Sequence, residues 1–118
     1  MSTDPQLAFY QRQPEPPGLE IRVNFGIFAG REATHAEIEE LGNALLPEIG
    51  TAGISSENRY EIGPESEAEV HQVRIAVPTE TLPADDFQIG ELAGRLVTIA
   101  ERWATGCIAE RHSEVSEL

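Results

Sequence analysis

Chemistry in this chain would have to come from a small set of side chains: His71, Tyr60, three of the arginines, the His35/Glu39 pair and Cys107. His71 opens an alternating run with Val73, Ile75 and Val77, so the two-residue period of a strand places its imidazole on the core side. In a cleft, a histidine there acts as general acid or base; at a frayed strand start, it only keeps one ring nitrogen satisfied by backbone or water, which is the plainer reading. Tyr60 has the same core parity on the preceding segment. His71 and Tyr60 are therefore the candidates for a catalytic or small-molecule site, set against the commoner use of a strand tyrosine as packing.

Arg22, Arg59 and Arg74 each fall on the non-core face of their own segment, which gathers three of the eight positive charges on one sheet surface. Planar guanidinium forks would bind a carboxylate or phosphate there, making these three the candidate ligand-binding residues. Glu20, Glu57 and Glu61 share that face, so the simpler expectation is cross-strand ion pairs of small net energy. His35 and Glu39 stand i, i+4 on one helix face, a spacing that suits two metal ligands. No His-Glu-x-x-His or Cys-x-x-Cys pattern supplies a third, and a solvated acidic helix face is expected instead. Neither a metal site nor a cofactor is expected.

Cys107 is the one cysteine, which excludes an intramolecular disulfide, and it falls on an apolar helix stripe where a thiol packs as a small hydrophobe. The chain has no Gly-x-Gly-x-x-Gly, no phosphate-binding loop with lysine and no Gly-x-Ser-x-Gly elbow. All eight basic residues are arginine, so Schiff-base chemistry on a lysine is absent as well. With 21 carboxylates, no acid/base dyad stands out by sequence.

The elements that must position these residues follow from periodicity and punctuation. Residues 1–18 hold four of the eight prolines and read as a leader, although residues 7–11 are long enough for a short strand that pairs as an edge or docks only in an oligomer. From Leu19 the alternation Leu19, Ile21, Val23, Phe25, Ile27, Ala29 predicts a half-buried strand that runs to Gly30. Thr34 and Glu37 form a capping box that opens a helix bearing Ile38, Leu41 and Leu45, with Pro47 and Gly50 as its stop. Ile54, Tyr60 and Ile62 share one parity in a second strand, residues 63–68 form a turn, and residues 69–77 close a hairpin. After Pro78 a long helix runs from about Phe87 to about His112, with Ile89, Leu92, Leu96, Ile99, Trp103 and Cys107 on one stripe. Gly90 and Gly94 on one edge of it predict close approach of the sheet or a partner helix, and Gly106 predicts an early end or a kink. Residues 113–118 read as a fraying acidic tail.

The order β-α-β-β-α makes an α+β domain over residues 19–112: a three- to four-stranded mixed or antiparallel sheet with both helices on one face. A right-handed first crossover would put the first strand beside, and parallel with, one strand of the hairpin. This order resembles a ferredoxin-like sandwich lacking its last strand, a resemblance of element order alone that implies no function.

At 118 residues the chain makes one domain, and its formal charge of −13 opposes binding to nucleic acid or to anionic membrane surfaces. No apolar run approaches the roughly 20 residues of a membrane span, and the first residues lack the basic and apolar regions of a secretory signal, so a cytoplasmic protein is expected. The leading functional expectation is a non-enzymatic, homodimerising interaction module: open sheet edges invite a second chain, and the acidity suits a basic protein partner, as in an inhibitor or immunity-type protein. A dimer would also explain an exposed Phe28 near the end of the first strand. The alternatives are a small-molecule enzyme or sensor with a pocket between the sheet and the second helix, near His71, Tyr60 and Trp103, and a structural subunit whose role is assembly. A monomer whose residues 7–11 supply a fourth strand is the competing architecture.

Overall fold

Alternation builds the two central strands, and where the apolar spacing suits a helix as well as a strand the chain leaves the sheet for the element nearest the candidate site. The computed structural model describes residues 6–13, 18–64 and 67–116, without the side chains of Arg59, Glu61, Glu67, Ala68 and residues 110–116. Its elements are β1 (Ala8–Arg12), β2 (Leu19–Val23), α1 (Phe25–Ala29), α2 (His35–Ile49), β3 (Gly53–Ile62), β4 (Glu67–Val77), a 3-10 turn at Thr79–Thr81 and α3 (Asp86–Ser116). The strands form one antiparallel sheet in the order β1-β2-β4-β3, giving an α+β fold with a four-stranded sheet and three helices.

The pairs Leu19 with Val77, Ile21 with Ile75 and Val23 with Val73 put six apolar side chains on one face of the two central strands, all fully buried. Onto them α2 brings Leu41, Leu45 and Ile49, and α3 brings Leu92, Leu96, Ala100, Trp103 and Cys107. Burying each large side chain of this kind contributes about 1.5–3 kcal/mol. The Thr34 capping box forms as the spacing predicts, with the Thr34 hydroxyl accepting from the Glu37 amide and the Glu37 carboxylate accepting from the Thr34 amide. Among the described residues no helix is long and apolar enough to cross a membrane.

Several expectations are corrected. The first long strand stops at Val23 rather than running to Gly30, because Phe25 and Ala29 also satisfy an i, i+4 helical spacing and bury as one face of α1, leaving Ile27 and Phe28 in solvent. Nor does β2 run parallel to a strand beside it: it pairs antiparallel with β4, which lies between β2 and β3, so the sheet is antiparallel throughout. Residues 8–12 do form a strand, and they pair with β2 inside the same chain, where Ala8 joins the core. Of the two stop signals of α2, Gly50 ends the helix as expected, with φ +70°, whereas Pro47 sits within its last turn. In α3, Gly90, Gly94 and Gly106 face open space, so no close approach of the sheet explains them, and the helix passes through Gly106 to Ser116.

Candidate functional site

His71 is held where β4 meets α1. After Val23 the chain turns at Asn24, whose amide donates to the Gln6 carbonyl at 2.6 Å and accepts from the Gln72 amide at 2.6 Å. This brings Gly26 onto the His71 backbone, where a Cβ would lie 2.8 Å from the His71 Cβ and 3.0 Å from its carbonyl oxygen. Only glycine fits that approach without displacing backbone. His71 is 9% exposed; its Nδ1 lies 3.1 Å from Asn58 Oδ1, directly across β3, and its Nε2 is buried without a partner. In the Nδ1–H tautomer Asn58 Oδ1 accepts and Nε2 is left as an acceptor without a partner.

A cleft of about 270 Å³ opens beside it, walled by Gly26, Ile27, Arg31, Glu32, Asn58 and Glu69, among others. It is bounded by α1 and the hairpin rather than by the long helix, because the space between sheet and α3 is filled with core side chains. Trp103 is part of that filling: its Nε1 donates to the Glu37 carbonyl at 2.7 Å and its ring lies 5.2 Å from Phe25. Tyr60 shares the parity of His71 but sits opposite Glu69 and is 67% exposed, because the hairpin extends past its helical cover. The ring partner of the imidazole is Asn58, and Tyr60 is not among the residues that wall the cleft.

Arg31 lines the cleft, and its guanidinium is engaged by neighbouring groups. The guanidinium grips Glu37 through two bonds of 2.7 Å each and lies 5.3 Å from the centroid of the Phe25 ring. Arg31 pulls the Glu37 carboxyl down to about 2 against the opposing effect of burial, helped by the Thr34 amide and the Cys107 thiol. Cys107 is buried and serves this contact.

On the face of the sheet away from the helices, β2 and β4 place Arg22 directly opposite Arg74. Glu20 lies between them, with its side chain 4% exposed: Arg22 reaches it at 2.9 Å, Arg74 donates to it through Nε, and Gln13 donates at 3.1 Å. Burial pushes the Glu20 carboxyl up, but the two arginines and Gln13 outweigh that and hold it below the usual range. Arg22 also meets Glu57 at 3.3 Å and the Gln72 side-chain oxygen at 3.1 Å. Two of the three candidate arginines are thus brought together, as a closed ion-pair cluster; the Arg59 side chain lies outside the described residues. His35 and Glu39 form an exposed pair at 3.0 Å, and among the described residues no group of three potential metal ligands converges.

The feature that sequence reasoning missed is the β3 side of the molecule. Ile62, 78% exposed, stands with Tyr60 on the helix-side face of the edge strand, and an apolar groove of about 180 Å³ lies between α2 and the start of β3, lined by Leu45, Leu46, Ile49 and Ile54. The cause is a difference of length: the ten-residue strand is about 33 Å long, whereas the 15-residue helix above it spans about 22 Å. Comparison of the chain with protein-family models, curated proteins and solved structures finds no match.

Proposed function

We propose that this protein is a non-enzymatic interaction module that works as a homodimer and offers an acidic surface to a basic protein partner. The observation that carries the reading is a contrast within one molecule. Its buried carboxylates are engaged by arginines, Glu37 by Arg31 and Glu20 by Arg22 and Arg74, while Tyr60 and Ile62 remain in solvent on a ten-residue edge strand. Long edge strands bearing apolar side chains are sites where a second chain adds. The charge of −13 supports the basic partner, since it steers positively charged surfaces toward the protein. The β2–α2–β3–β4–α3 order, with β4 between β2 and β3, supports reading the fold as a ferredoxin-like sandwich in which β1 stands beside β2 as the closing strand.

Light scattering of the full chain over a concentration series tests the reading: a mass of twice 12.9 kDa is expected, and a concentration-independent monomer overturns it. A small-molecule sensor is the second reading, favoured by the unpartnered Nε2 of His71 beside the cleft. Its test is thermal stabilisation by hydrogen-bond-donating metabolites that is present in the native protein and lost in His71→Phe.

A further inference from the structure

We propose that two copies pair through β3 in one register, with a two-fold axis at Asn58, and that Ile62 of each copy fills the α2/β3 groove of the other. The inference rests on the homodimer reading above and adds the surface, the register and the contacts. Among the described residues β3 pairs on one side with β4 and has no strand on its other side. A two-fold axis perpendicular to an extended antiparallel sheet keeps each residue opposite one of the same parity, so only registers in steps of two residues are open.

Charge and overlap choose among them: an axis at Ser56 or Tyr60 also avoids like charges, but it overlaps only residues 53–59 or 58–62 of β3. Centring the axis on Glu57 sets Glu57 against its own copy, and centring it on position 59 sets Arg59 against Arg59. Like charges directly opposite are destabilising. Centring it on Asn58 sets Glu57 opposite Arg59 twice and overlaps nearly the whole of β3.

The same register settles the apolar residues. On the helix-side face it places Ile62 of one copy opposite Ile54 of the other, and Tyr60 opposite Ser56. Ile54 is a wall of the apolar groove, together with Leu45, Leu46 and Ile49. Ile62 is the most exposed large apolar residue described, and Leu46 above the groove is half exposed, so each copy carries both the projecting side chain and its receptor. Burial of Ile62 against Leu46 and Ile54 removes apolar surface from water at both ends of the shared strand pair.

Single-cysteine cross-linking tests the register. Residues directly opposite in an antiparallel pair lie about 4.5–5.5 Å apart at Cα, within disulfide reach, whereas positions displaced by four residues are about 13 Å apart. Asn58→Cys is expected to form a covalent dimer under mild oxidation, and Ser56→Cys and Tyr60→Cys are not; Cys107 is buried in all three. Ile62→Asp and Leu46→Asp are each expected to weaken the dimer at least tenfold while leaving the circular dichroism of the fold intact, since both side chains are exposed in the single chain. A native dimer that cross-links through Ser56→Cys or Tyr60→Cys, or that is indifferent to Ile62→Asp, overturns this register while the homodimer reading stands. A native monomer at every concentration overturns both.

Discussion

On the two central strands, both faces of the sheet bury side chains, and they do so by opposite means. On the helix side Leu19, Ile21, Val23, Val73, Ile75 and Val77 meet two helices and form an apolar core. On the other side no helix lies over β2 and β4, yet Glu20 and Gln72 are buried, because arginines and amides from neighbouring strands fold over them. The comparison teaches how a strand face buries a carboxylate with no helix over it: Glu20, placed between the guanidinium groups of Arg22 and Arg74, gains from both.

The comparison can be broken on either side. Leu96→Ala on the helix side should cost about 2–5 kcal/mol in urea unfolding, since Leu96 is fully buried and a packed core closes only partly around a deleted side chain. A cost below 1 kcal/mol would mean that the helical layer is loosely packed. At the margin of that layer Glu37 should dominate acid sensitivity. Its folded carboxyl is drawn from 4.5 to about 2, so the stability it contributes is present above pH 4.5 and disappears as the pH falls toward 2. The contribution is about 3 kcal/mol, and Glu37→Gln should lower stability at pH 7 while flattening the curve between pH 4.5 and 2. An unchanged acid limb in that variant would assign the sensitivity elsewhere.

On the open face, Glu20→Ala leaves Arg22 and Arg74 opposite one another and should cost about 2 kcal/mol, less than a deeply buried pair because both arginines keep some contact with water. Glu20 shares the acid-side sign of Glu37, its contribution being lost as pH falls below the usual carboxylate range. If Glu20→Ala changes the midpoint by less than the scatter of surface variants, the polar face is ordinary solvated surface and the contrast drawn above disappears. The smallest effect belongs to Tyr60→Ser, expected within about 0.5 kcal/mol of native in stability because that side chain packs on little within the single chain.

Legibility from sequence followed how local the signal was. The Thr34 capping box, the hairpin of β3 and β4, and the buried stripe Leu92, Leu96, Trp103, Cys107 depend on residues a few positions apart, and each formed where spacing placed it. Residues 25–29 went the other way because their apolar spacing satisfies both periods: Phe25, Ile27 and Ala29 alternate as in a strand, while Phe25 and Ala29 alone mark one helical face. What selected the helix was distant in sequence, namely the Asn24 amide bridging Gln6 and Gln72, and Gly26 seated on His71. The candidate site divides in the same manner. Parity assigned His71 to the helix side, where it lies, and assigned Tyr60 there too, but parity carries no information about where the helices end above the sheet.

The chain's sequence by itself determined the acidity, the absence of lysine, the α+β order of elements and the inward parity of the central strands, because these are properties of composition and of spacing over two to four residues. Only the tertiary structure decided that β4 separates β2 from β3, that Glu20 takes both Arg22 and Arg74, that α1 walls the His71 cleft, and that β3 outruns its helices. Each of these depends on at least one contact between segments tens of residues apart, and the free energy that selects it resides in contacts that no local pattern encodes.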